Sequence, residues 1–91
     1  MTRVLLVDDH PLVRAGLATL IQSTDDLDLV GEAAGGEQAV TMTTDHEPDV
    51  VLMDLSMPGI DGVEATRRLL ALRPQTHVVV LTSFQDQARV A

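Results

Sequence analysis

No cysteine, tryptophan or tyrosine occurs in these 91 residues, and Phe84 is the single aromatic. Without cysteine there is neither a disulfide framework nor a thiolate metal site, which fits a reducing compartment. Without aromatics, any core must be built from Val, Leu, Ile, Ala and Met. Basic residues are also scarce: six Lys and Arg stand against 14 Asp and Glu, for a formal charge of −8. A surface of that sign repels phosphate backbones, so the segment is a poor nucleic-acid binder by itself. No apolar run approaches a membrane span. The opening MTRVLLVDDHP breaks off on two aspartates, unlike a signal peptide. These absences predict a soluble, cytoplasmic protein without a membrane partner.

What is present is ordinary globular material, 45% apolar, enough for one small domain near the edge of stability. Three short apolar runs stand out, Val4–Val7, Val50–Met53 and Val78–Leu81. They are rich in β-branched residues and nearly continuous, as in strands buried on both faces. A weaker run covers Leu27–Ala33. Helical periodicity fills the gaps. From Pro11 to Gln22 apolar residues fall at Leu12, Val13, Leu17, Leu20 and Ile21, with Pro11 in the first turn and Asp9 or His10 as cap. Glu37–His46 predicts a second, shorter helix. Asp61–Leu72 predicts a third, with Val63, Leu69, Leu70 and Leu72 inward, Arg67, Arg68 and Arg73 outward, and Pro74 closing it. A fourth helix would begin near Gln85.

The order βαβαβαβ calls for a parallel sheet with helices on both faces and right-handed crossovers. Gly31, Gly35 and Gly36 read as a connection between helix and strand. No GxGxxG follows the first strand, which removes support for dinucleotide binding.

In open parallel sheets ligands gather at the carboxyl ends of the strands. Strand one ends at Asp8 and Asp9, strand three at Asp54, and strand four at Thr82 and Ser83. Taken singly, these are ordinary strand stops, caps and turn hydroxyls. If the three strands are neighbours, three carboxylates meet at one rim, repel one another and lower stability. A divalent cation removes the conflict, and an oxygen-only ligand set points to Mg²⁺ or Ca²⁺, with Mg²⁺ favoured by two or three carboxylates plus water. Beside such a cation, a carboxylate is a competent nucleophile for phosphoryl transfer, and a nearby hydroxyl can register the phosphoryl group. The histidines His10, His46 and His77 show no metal-ligand spacing, and the methionines read as core filler.

The segments VLLVDDHPLVRAGL, VVLMDLSMPGIDGVEA and HVVVLTS, in that order, resemble a bacterial response-regulator receiver domain. DDHPLVRAGL followed by GEAAGGEQAV is similar to the subfamily whose members carry a LuxR-type DNA-binding output domain (NarL/FixJ-like). The resemblance implies a flavodoxin-like doubly wound sheet, of order 2-1-3-4 here, spanning residues 1–91 as one receiver domain. It implies a phosphorylation-dependent switch of a transcription regulator, one that assists its own phosphorylation and dephosphorylation and is not a classical enzyme. Asp54 would be the phosphoacceptor, served by a sensor histidine kinase. Asp9 would ligate Mg²⁺ directly and Asp8 mainly through water, with Asp54 and the backbone carbonyl of Ser56 completing the set. Thr82 would be the switch hydroxyl, Met57, Pro58 and Gly59 the loop holding the acceptor, Gly62 the turn into the third helix, and Ser56 and Ser83 neighbours that tune phosphoryl lifetime. DNA would be reached only through an output domain.

The chain departs from the family pattern after Ala91. A fifth strand with its Lys and aromatic switch residue, and the helices around it, on the order of 30 residues, are expected to be missing. Strand four would then lie at an open edge, inviting dimerisation or exchange of elements with a second chain. Two rival readings remain. An aspartyl phosphatase would show DxD after its first strand, where this chain has VDDH. A receiver-like interaction module would have lost one of Asp8, Asp9 and Asp54.

Overall fold

A computed structural model describes residues 1–54 and 62–81. Four strands, β1 (Thr2–Val7), β2 (Leu27–Ala33), β3 (Val50–Asp54) and β4 (His77–Leu81), alternate with three helices, α1 (Pro11–Gln22), α2 (Gly36–His46) and α3 (Gly62–Leu72). The strands form one sheet, parallel as the alternation of strands and helices predicts, in the order β2-β1-β3-β4 that the resemblance implies.

β1 is the centre. Its odd residues Leu5 and Val7 pack with Ala33, Ala39, Val51, Met53, Ala65 and Leu69, under α2 and α3. Its even residues Val4 and Leu6 pack with Ala18 and Ile21, under α1. All four are buried, so the continuous apolar run does mark a strand covered twice. β4 does not repeat this. Among the described residues it pairs only with β3, and Val79 and Val80 are 46% and 47% exposed. The same apolar signal thus describes a central strand and an edge strand.

Helix faces also depart from expectation. Val63 and Leu72 do not face inward but are exposed. The inward positions of α3 are Gly62, Ala65 and Leu69, those of α2 are Gly36, Ala39 and Thr43, and those of α1 are Ala18 and Ile21. Small residues at helical spacing let a helix approach the sheet closely, and the larger apolar residues are left to the flanks. Thr43, fully buried, donates its hydroxyl to the carbonyl of Ala39 at 2.8 Å, which satisfies it.

Gly31 is not in a connection. It lies inside β2, where the register against β1 shifts: Val4 faces Leu29, and Leu5 faces Gly31. A Cβ there would come within 2.8 Å of Met42 Cε and 3.3 Å of Leu5 Cδ1, so the glycine allows α2 to sit close to the strand at a bulge.

The amino-terminal rim of the sheet is tied by named bonds. The Arg3 backbone N–H donates to Asp49 Oδ2 at 2.8 Å, and its guanidinium donates to the His46 carbonyl. The Pro48 carbonyl accepts both Arg73 Nε and Thr76 Oγ1 at 3.1 Å. Arg73 is therefore a link between loops and not simply a solvated charge.

Candidate functional site: an acidic pocket at the carboxyl ends of β1 and β3

The parallel register of β1 and β3 runs from Val4 opposite Val50 to Val7 opposite Met53. One step further sets Asp8 level with Asp54, the last residue of β3. Both are buried, because each leaves a central strand just where the sheet ends. Asp9 follows at the start of the turn into α1, with its side chain 24% exposed. The three carboxylates expected at the rim are thus together.

His10 joins them, which the sequence did not suggest. Its Nδ1 lies 3.2 Å from Asp8 Oδ1, 3.1 Å from Asp9 Oδ1 and 3.7 Å from Asp54 Oδ2. Histidine ligands are recognised in sequence by paired spacings, and His10 has no such partner. Its place in the group depends on β3 lying beside β1. The hydrogen bond to Asp8 raises the His10 pKa above its ordinary value, and the charge of Asp9 adds to the effect.

His10 is the N-cap of α1 but makes no side-chain cap bond. The Asp8 carboxylate performs the local task, with Oδ1 accepting the His10 backbone N–H at 2.8 Å. Pro11 then begins the helix with no N–H to satisfy. Arg14, overlooked in the sequence, donates Nη1 to the Asp8 carbonyl oxygen at 2.9 Å and places Nε 3.4 Å from Glu32 Oε1. It joins the first turn of α1 to the backbone under the site and to β2.

One polar atom lacks what burial demands. Among the described residues, Asp9 Oδ1 is enclosed yet accepts no hydrogen bond. His10 Nδ1 is near enough, but hydrogen-bonding geometry is met at Asp8 and not at Asp9. Such an orphaned acceptor costs on the order of 1–3 kcal/mol, and a bound cation offsets that cost together with the mutual repulsion of the carboxylates. Asp8, Asp9, His10 and Asp54 each offer a ligand atom, all within 4.8 Å of one another. The donor set fits a metal ion. Thr82 and Ser83, Ser56, and the Met57, Pro58 and Gly59 loop lie outside the described residues, as do Asp61 and the fourth helix expected near Gln85.

Known proteins resemble this chain in sequence and fold. The response regulator receiver domain profile matches residues 4–91. The chain is 44% identical over 90 residues to the transcriptional regulatory protein LiaR of Bacillus subtilis, covering 99% of this chain and 43% of that protein. It is 50% identical over 86 residues to the response regulator GacA of Pseudomonas viridiflava, covering 94% and 40%. A two-component response regulator of the LuxR family from an Aurantimonas species superposes with a TM-score of 0.88 at 37% identity, covering 99% of this chain and 64% of that one. The response regulator domain of Thermotoga maritima CheB gives 0.85 at 36% identity, covering 93% and 63%. The chain spans about two fifths of the length of these curated relatives. No helix among the described residues is long and apolar enough to cross a membrane. With fold and sequence in agreement over nearly its whole length, the chain belongs to the response regulator receiver domain family.

Proposed function

We propose that Asp54 accepts a phosphoryl group, with Mg²⁺ held in the pocket of Asp8, Asp9 and Asp54, as the input step of two-component signalling. The observation that carries the reading is the convergence of these three carboxylates within 4.8 Å in a chain of receiver sequence. The donor would be the phosphohistidine of a sensor kinase, and the recipient of the signal a DNA-binding output domain, as the name of the transcriptional regulatory protein LiaR suggests for that relative.

The Asp54 carboxylate oxygen attacks phosphorus in line with the departing imidazole, forming an acyl phosphate while the P–N bond breaks. Bound Mg²⁺ supplies positive charge to the phosphoryl oxygens. Asp9, whose Oδ1 has no competing hydrogen bond among the described residues, is the natural direct ligand, and Asp8, whose Oδ1 already accepts the His10 N–H, the more distant one. The Ser56 carbonyl and the Thr82 hydroxyl complete the proposed set as ligand and switch. The chain acts on its own side chain and not on a series of substrates, so it is a switch rather than a classical enzyme. Modification biases an equilibrium between two states of the domain.

Acetyl phosphate or beryllofluoride with Mg²⁺ should modify the peptide containing Asp54, read by mass spectrometry or amide shifts, and Asp54→Asn should abolish the change. Modification that persists in Asp54→Asn, or that maps to His10 or His46, would overturn the reading.

A further inference from the structure

His10 stands where three carboxylates meet, and the phosphoryl-acceptor reading makes no use of it. A cation with ligand bonds of about 2.1 Å sets neighbouring ligand atoms roughly 3.0 Å apart in an octahedron and roughly 3.4 Å apart in a tetrahedron. The distances from His10 Nδ1 to the three carboxylates, 3.1, 3.2 and 3.7 Å, fall close to those edges. Nδ1 hydrogen-bonds Asp8 Oδ1 and lies among the carboxylate oxygens, as one of four ligand atoms within 4.8 Å of one another. The backbone holds it there: the His10 N–H is fixed on Asp8 Oδ1, and Pro11 restricts the residue to the extended conformation it adopts, φ −93° and ψ 107°. Asp9 Oδ1, buried and without a hydrogen bond among the described residues, lies 3.1 Å from Nδ1.

We infer that His10 is a metal-selecting residue, whose Nδ1 gives the acidic pocket a nitrogen ligand for imidazole-accepting divalent cations such as Co²⁺ and Zn²⁺. The inference rests on the reading that this pocket holds a divalent cation. Mg²⁺ is a hard ion that takes oxygen ligands and water and draws nothing from the ring. Co²⁺ and Zn²⁺ accept imidazole readily and stand above Mg²⁺ for mixed nitrogen and oxygen sites. The ring is 59% exposed on its side-chain atoms, so its removal leaves the core untouched. Selectivity can therefore be separated from folding.

Calorimetric titration of the 91-residue chain with Co²⁺, Zn²⁺ and Mg²⁺ tests the inference in wild type, His10→Ala, His10→Gln and Asp9→Asn. Both His10 variants should lose about tenfold in Co²⁺ and Zn²⁺ affinity and keep Mg²⁺ affinity within about twofold. In the Co²⁺ form, wild type should show paramagnetically shifted imidazole proton resonances that both variants lack. Equal losses for all three cations, no loss for any, or the absence of shifted imidazole resonances in wild type would overturn it. Those outcomes leave the acidic pocket standing. If Asp9→Asn binds every cation as well as wild type does, the pocket reading itself is overturned.

Discussion

On one face of the sheet α2 and α3 lie over Leu5, Val7, Val51 and Met53, and all four side chains are fully buried. On the other face α1 covers Val4 and Leu6, while its own Leu12, Val13 and Leu20 remain exposed. The two faces carry apolar residues of the same kinds, and on both some stay outside: Val63 and Leu72 of α3 are exposed as well. What differs is the contact line. α2 and α3 meet the sheet through Gly36, Ala39, Thr43, Gly62, Ala65 and Leu69, six buried positions on two helices, whereas α1 meets it through Ala18 and Ile21 alone. Apolar content alone therefore does not measure burial.

The largest test of this contrast compares two leucines. Leu5→Ala empties a fully enclosed site and should cost about 2–5 kcal/mol. Leu12→Ala removes a side chain that is 89% exposed and should stay within about 0.5 kcal/mol. Urea denaturation of the two variants checks both values, and similar costs would break the comparison.

A smaller effect is expected where α2 meets β2. Gly31→Ala pushes a methyl toward Met42 Cε and Leu5 Cδ1, and overpacking typically costs about 1–3 kcal/mol. Because the nearest atom is the end of a flexible methionine, the lower end is expected. Thermal unfolding at neutral pH should show a modest fall, and a second change, Met42→Ala, should recover part of it.

The smallest effect lies on the outer side of α3. Glu64 receives hydrogen bonds from Arg67 first and Arg68 second, which hold its carboxyl below the usual glutamate range. A group with a depressed folded pKa contributes stability above its unfolded value, and that contribution is lost as pH falls through the folded one. Glu64→Gln should thus unfold slightly earlier than wild type at neutral pH. The difference should close as pH drops below about 4.3, the ordinary glutamate value. Melting curves across that range check the sign, and a gap that widens in acid would contradict it.

The bounds of α1 and β2 were legible in the sequence, because strand ends and periodicity are local signals; the meeting of Asp8, Asp9 and Asp54 was expected only on the condition that β1 and β3 are neighbours, which they are. The inward faces were not. Val63 and Leu72 look like core residues by type, but a helix chooses its contact face by how closely it can approach, and that favoured Gly62 and Ala65. Gly31 was misread as punctuation because nothing in the sequence reveals the helix that presses on it. His10 was missed because its partners are brought together by strand pairing and not by spacing.

The register of β1 on β3 also has a kinetic meaning. Arg3 reaches Asp49 across 46 positions of sequence, and Asp8 meets Asp54 across a similar stretch. No local turn or isolated helix can assemble this pocket; the chain must first close a long loop, with its entropic cost, before β3 docks on β1. Asp8, Asp9 and His10 arrive together, but Asp54 joins only when that crossover is complete. A partly folded chain retaining α1 and β2 would have half a site. Cation binding that depends on Asp54 therefore reports the formation of the β1–β3 pair, and so marks a long-range event in folding.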